Sequence, residues 1–93
     1  MSKNHRVLEA SIEAIVIAFA EERGWFYRKV AWLGRRGAPD RLFARDGRIV
    51  FVEFKRPGEE PRLLQKREIA RMRAAGIEVH VIDDVDAGMA LFV

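Results

Sequence analysis

Residues 40–55 read DRLFARDGRIVFVEFK, and the Asp46-Gly47 pair near their centre decides the fold. Asp-Gly between two runs of branched and aromatic residues marks a two-residue β-hairpin turn. Such a turn fixes the pairing: Arg45 opposes Arg48, and counting outward sets Asp40 directly opposite Glu53. Directly opposed residues stand about 4.5–5.5 Å apart at Cβ and point to one face. Strand alternation returns Lys55 to that face, two residues beyond Glu53. The two strands are therefore expected over residues 40–45 and 48–55. The rest of this face is Leu42, Ala44, Ile49 and Phe51, all apolar. Two carboxylates and a lysine at the end of an apolar face are costly unless they serve one another or a metal. A hard cation such as Mg²⁺ takes oxygen ligands, which Asp40, Glu53 and the main-chain carbonyl of Phe54 can supply. An ordinary cross-strand cluster, with Lys55 neutralising the carboxylates, fits the same three residues.

Outward from the hairpin the chain alternates readable elements with breakers. Residues 33–39, LGRRGAP, are a loop by their glycines and proline, and residues 25–32 before them read as a strand. Residues 7–23 read as a helix whose apolar stripe is Leu8, Ile12, Ile15 and Phe19, with Val7 and Ile17 on its far side. That second apolar side points to burial on two sides, within the fold or against another subunit. Glu9 and Glu13 lie one turn apart on this helix and read by themselves as solvated charges. Downstream, RPGEEP is a loop, residues 62–75 a helix ending at Gly76, residues 77–82 a strand, and residues 85–92 a short helix. Gln65 shares a stripe with Ile69 and Met72 and so faces the sheet, toward the carboxylates or capping the helix start. The order αβββαβ gives an α+β fold, a mixed sheet flanked by helices, in a single domain over residues 1–93.

Composition narrows the function classes. Lys+Arg number 17 against Asp+Glu 14, a formal charge of +3 that permits nucleic-acid binding without arguing for it. There is no cysteine, which excludes a disulfide framework and a thiolate-held zinc and fits a reducing cytosol. The first residues lack the order of a signal peptide, and the longest apolar run, residues 14–20, is too short to span a bilayer. A cytoplasmic protein with no membrane partner is expected. His5 and His80 read as incidental.

The residues GRRGAPDRLF, IVFVEFKRPG and LLQ together resemble the virus-type replication–repair nuclease (VRR-NUC) branch of the PD-(D/E)xK nucleases. The likeness runs from about Glu9 to Asp83. A lone PD…ExK is a weak signal; the ordered set Glu13, Gly37-x-Pro39-Asp40, Glu53-x-Lys55 and Gln65 is a strong one. The resemblance implies a restriction-endonuclease-like core and a Mg²⁺- or Mn²⁺-dependent DNA endonuclease of a bacterial or phage-infected cell. It implies that Asp40 and Glu53 bind the metal with the Phe54 carbonyl, that Lys55 orients the attacking water, and that Gln65 is the family glutamine. It matches the family's first-helix glutamate to Glu13, with Glu9 as the fallback. Given such a site, Arg35, Arg36, Arg62 and Lys66 become DNA contacts that position the backbone without reading sequence. A homodimer acting on branched DNA, such as Holliday junctions, is expected. The competing classes are a non-catalytic DNA-binding or assembly subunit and a purely structural interaction domain.

Overall fold

The structure, a computed structural model, describes the backbone of residues 3–93 and the side chains from Glu9 onward. Its elements are α1 (Lys3–Glu22), β1 (Phe26–Lys29), β2 (Arg41–Arg45), β3 (Arg48–Phe54), α2 (Leu63–Ala74), β4 (Glu78–Ile82) and α3 (Val85–Leu91). The four strands form one mixed sheet in the order β1-β2-β3-β4. β1–β2 and β2–β3 are antiparallel and β3–β4 is parallel, joined across α2. This is the α+β order that the sequence implies.

The hairpin turn has the backbone that Asp-Gly favours. Asp46 and Gly47 both carry positive φ, 52° and 82°, as a turn matched to strand twist requires. Its register runs from Arg45 opposite Arg48 to Arg41 opposite Val52. Asp40 and Glu53 follow one ladder step later, just beyond the last paired residues.

The two faces of the sheet are covered unequally. One packs on α1 and α3, where Phe43, Val50, Val52, Phe54 and Ile82 meet Ile12, Val16, Ala20 and Phe92. Burying each of these side chains other than Ala20 contributes roughly 1.5–3 kcal/mol. Gly88 of α3 lets the helices close: a Cβ there would stand 2.7 Å from a Val16 methyl and 2.9 Å from an Ile82 methyl. The other face carries only Ile69 and Met72 of α2 on Val79, with Phe51, Ile77 and Val81 at the margin.

Three details differ from the sequence reading. The hairpin face holding Leu42, Ala44, Ile49 and Phe51 is the less buried one, because α2 packs chiefly on β4 and reaches β3 only at Phe51 and Glu53. β1 stops at Lys29, opposite Arg41, the first residue of β2, short of the Trp32 end expected for it. Beyond it Val30 still donates to the Asp40 carbonyl, and Trp32 folds back to donate to the Pro39 carbonyl at 2.8 Å. The buried line of α1 is Ile12, Val16 and Ala20, while Ile15 is 47% exposed and Ile17 packs on the core. Spacing alone makes Ile15 and Val16 near-equivalent, and contact with Gly88 selects Val16. The side chains of Val7 and Leu8 lie outside the described residues.

Candidate functional site

Glu53 ends the alternation of β3 on the face under α2, beside Val81 of the neighbouring strand. Its side chain is 14% exposed. One of its oxygens, Oε2, accepts a hydrogen bond from Gln65 Nε2 at 3.2 Å and lies 3.7 Å from Lys55 Nζ. Gln65 is held in turn, its Oε1 accepting from the Arg62 main-chain N–H at 2.9 Å. Gln65 thus ties the first turn of α2 to Glu53, while Lys55, buried beside it, supplies the nearest positive charge.

This environment does not fully compensate the carboxylate. Burial pushes the Glu53 carboxyl up to about 7, and the charge of Asp40 adds to the rise. Lys55 opposes it, Glu9 adds to it, and Arg41 subtracts from it. An ammonium at 3.7 Å is beyond hydrogen-bonding reach, so its help is Coulombic only.

Asp40 lies at the open edge, its side chain 48% exposed. Its Oδ2 is 2.9 Å from Arg41 Nη1. Arg41, the next residue, is on the opposite face of β2, buried beneath α1, where Nη2 donates to Glu13 Oε1 at 2.6 Å. Burial works against its charge, yet the Glu13 hydrogen bond and the charge of Asp40 outweigh it, and the guanidinium is held above its ordinary value. Its Nε is buried without a partner. Sequence reasoning did not single out Arg41. The available signal was a cation at an inward position of β2, flanked by buried Pro39 and Phe43.

Glu13 is therefore connected to Asp40 through Arg41, whereas Glu9 is the first-helix acid whose charge acts on Glu53. Of the arginines expected to meet DNA, Arg35, Arg36 and Arg62 are exposed. Lys66 is exposed as well and forms a surface ion pair with Glu60 at 2.8 Å. His80 pairs with Glu78 away from this site.

The donor set suits a hard divalent ion. Among the described residues no three acidic or histidine side chains converge closely enough to hold a metal by themselves. What converges is one buried carboxylate short of positive charge and one half-exposed carboxylate, at the end of β3 where Phe54 is the last strand residue. Mg²⁺-type ions are commonly held by one or two carboxylates, keep several waters and complete their shell with substrate phosphate. The residues fit such an ion.

No family model matches the sequence. The chain is 43% identical over 86 residues to "Putative nuclease p44" of Acyrthosiphon pisum secondary endosymbiont phage 1, a match spanning 91% of this chain and 92% of that protein. A solved structure described as "VRR_NUC domain" superposes with a TM-score of 0.81 at 33% identity, covering 89% of this chain and 91% of its own. Among the described residues no helix is long and apolar enough to cross a membrane.

Proposed function

The chain belongs to the VRR-NUC domain family, and from that premise we propose that it is a DNA nuclease that hydrolyses phosphodiester bonds with Mg²⁺ or Mn²⁺. The observation that carries this reading is the convergence of Glu53, Lys55 and Gln65 at the open end of the hairpin, with Asp40 one step beyond the last β2–β3 pair. Asp40, Glu53 and the Phe54 carbonyl would hold the ion, which supplies Lewis acidity at the phosphate and a water acidic enough to attack near neutral pH.

The protein groups have separable tasks. Gln65 occupies Glu53 Oε2 and leaves the other oxygen available. Arg41 holds Asp40 Oδ2 in the same way and is itself held by Glu13. The Lys55 ammonium, fixed among these groups, orients the water and attracts the phosphate oxygens. Neither a serine, a cysteine nor a histidine stands among them, so the nucleophile is water. Arg35 and Arg36, on the loop leading to Asp40, and Arg62, at the start of α2, contact the backbone around the cut.

The substrate proposed is branched DNA, and the active form a homodimer. Ile15 leaves an apolar side chain on the outer surface of α1, and a domain this small gains much by burying surface in a partner. A two-fold dimer duplicates the site and suits paired cuts across a four-way junction. Incubation with linear duplex, flap, splayed and four-way substrates, with Mn²⁺ or with chelator, tests the activity, and light scattering tests the dimer. Metal-dependent cutting that favours the junction is expected. Binding without cleavage under every metal condition would instead support a non-catalytic DNA-binding subunit.

A further inference from the structure

Beside the carboxylates, the loop before β2 and the first turn of α2 enclose a cleft of about 400 Å³ lined by Arg36, Gly37, Arg62, Leu63, Leu64 and Gln65. Gln65 makes it continuous with the site, since its amide donates to Glu53. The loop sits directly on the helix backbone. Gly37 has φ +82°, and a Cβ there would come within 2.9 Å of the Leu64 carbonyl and the Gln65 nitrogen, main-chain atoms that cannot swing aside. The approach of the loop to the helix on which the cleft is built is therefore fixed by backbone.

Its walls are of two kinds. Leu63 and Leu64 are 61% and 54% exposed, two adjacent apolar side chains facing water at the start of a helix. Arg36 and Arg62, with Arg35 alongside, have no carboxylate within 4.0 Å among the described residues. Other cations near the site are engaged: Arg41 by Glu13 and Asp40, Lys66 by Glu60, Arg56 by Glu59. Unpaired guanidinium groups beside exposed leucines offer a phosphate-binding rim and an apolar wall in one place. A duplex satisfies only the rim, because its bases are stacked inside. A single strand satisfies both, with phosphates on the arginines and a base face on the leucines.

We propose that this cleft seats an unpaired nucleotide of the DNA strand flanking the cut, with its base against Leu63 and Leu64 and its phosphates on Arg36 and Arg62. The substrate class is then DNA whose bases are unstacked beside the scissile phosphate, as at a branch point. Placement of this nucleotide beside the cut rests on the nuclease reading above; single-strand binding in the cleft does not.

The test is fluorescence anisotropy in chelator, comparing a short labelled oligothymidylate with a blunt duplex. Wild type is expected to bind the oligothymidylate more tightly. Leu63→Ser/Leu64→Ser is expected to lose about tenfold of that affinity, the worth of burying about one leucine side chain against the base, with duplex binding little changed. Leu64→Trp, which enlarges the apolar wall, is expected to bind the oligothymidylate more tightly and remains informative should the double variant fail to fold. Equal wild-type affinity for the two ligands, or equal loss of both in the serine variant, would overturn the proposal. So would a change of oligomeric state with oligothymidylate affinity intact, which would assign the leucines to a second copy of the chain. Cleavage is scored separately in Mn²⁺, so a protein that binds single strands but cuts nothing counts against the nuclease reading alone.

Discussion

β3 and β4 carry an acid at each end, and the two acids are treated in opposite ways. At the hairpin end Glu78 receives two hydrogen bonds from Arg48, at 3.0 and 2.6 Å, and a contact from His80 at 2.7 Å. The Arg48 hydrogen bonds are the chief reason its carboxyl is held down near 2. At the other end Glu53 is more deeply buried, has an amide at 3.2 Å and an ammonium at 3.7 Å, and is pushed up to about 7. A forked guanidinium closes the first cluster, whereas a point charge beyond hydrogen-bond reach leaves the second short of positive charge. The first acid is structural. The second keeps a deficit that a divalent cation can fill.

The sharpest way to break this comparison is to remove a group at each end. Asp40→Ala or Lys55→Ala should lower cleavage by about 10²-fold or more, the scale of a lost positioned catalytic group. Glu78→Gln should leave turnover unchanged. Near-wild-type turnover by either site variant, with unchanged circular dichroism, would defeat the assignment.

Stability should move in the opposite sense. Glu53's folded pKa is raised above its ordinary value, so folding favours its protonated form, and the associated stability is lost as pH rises through about 7. Glu53→Gln should then stabilise the metal-free protein at about pH 8 by up to roughly 3 kcal/mol, and much less at about pH 5. Urea unfolding at both pH values reads this directly; a variant less stable than wild type at the higher pH would show that the deficit is not real.

A smaller effect distinguishes the two glutamates of α1. Glu13→Gln weakens the grip on Arg41 and through it on Asp40, so activity should fall about tenfold, as when a metal ligand loses its outer partner. Glu9→Gln removes only a charge that opposes ionisation of Glu53 and should cost less. The reverse order in side-by-side kinetics would move the role to Glu9. The smallest effect belongs to Glu78→Gln, whose pair is substantially exposed: a loss under about 1 kcal/mol near neutral pH. Because the Glu78 pKa is depressed, that contribution is present above the ordinary carboxylate range and disappears as pH falls through about 2.

The hairpin was legible because Asp46-Gly47 is a local device: two residues set the turn, the register and hence the facing of Asp40, Glu53 and Lys55. Gln65 was legible from helical spacing, which aimed it at the sheet. What the sequence hid depends on contacts between distant segments. Ile15 and Val16 are neighbours in sequence, and only α3, through Gly88, decides which is buried. Trp32 reads as strand, yet it leaves the ladder and donates to the Pro39 carbonyl. Lys66 reads as a DNA contact, and its exposed ion pair with Glu60 of the preceding loop is visible only in the fold. Arg41 was the largest omission, since its importance lies in Glu13, a residue on another element.

The central claim is that the charge deficit at Glu53 is a metal site and the satisfied carboxylate at Glu78 is not. Calorimetric titration of Mn²⁺ into wild type, Glu53→Gln and Glu78→Gln tests it without reference to turnover. Binding is expected in wild type and Glu78→Gln, and weakened about tenfold or more in Glu53→Gln. Equal Mn²⁺ affinity in all three proteins would contradict the account.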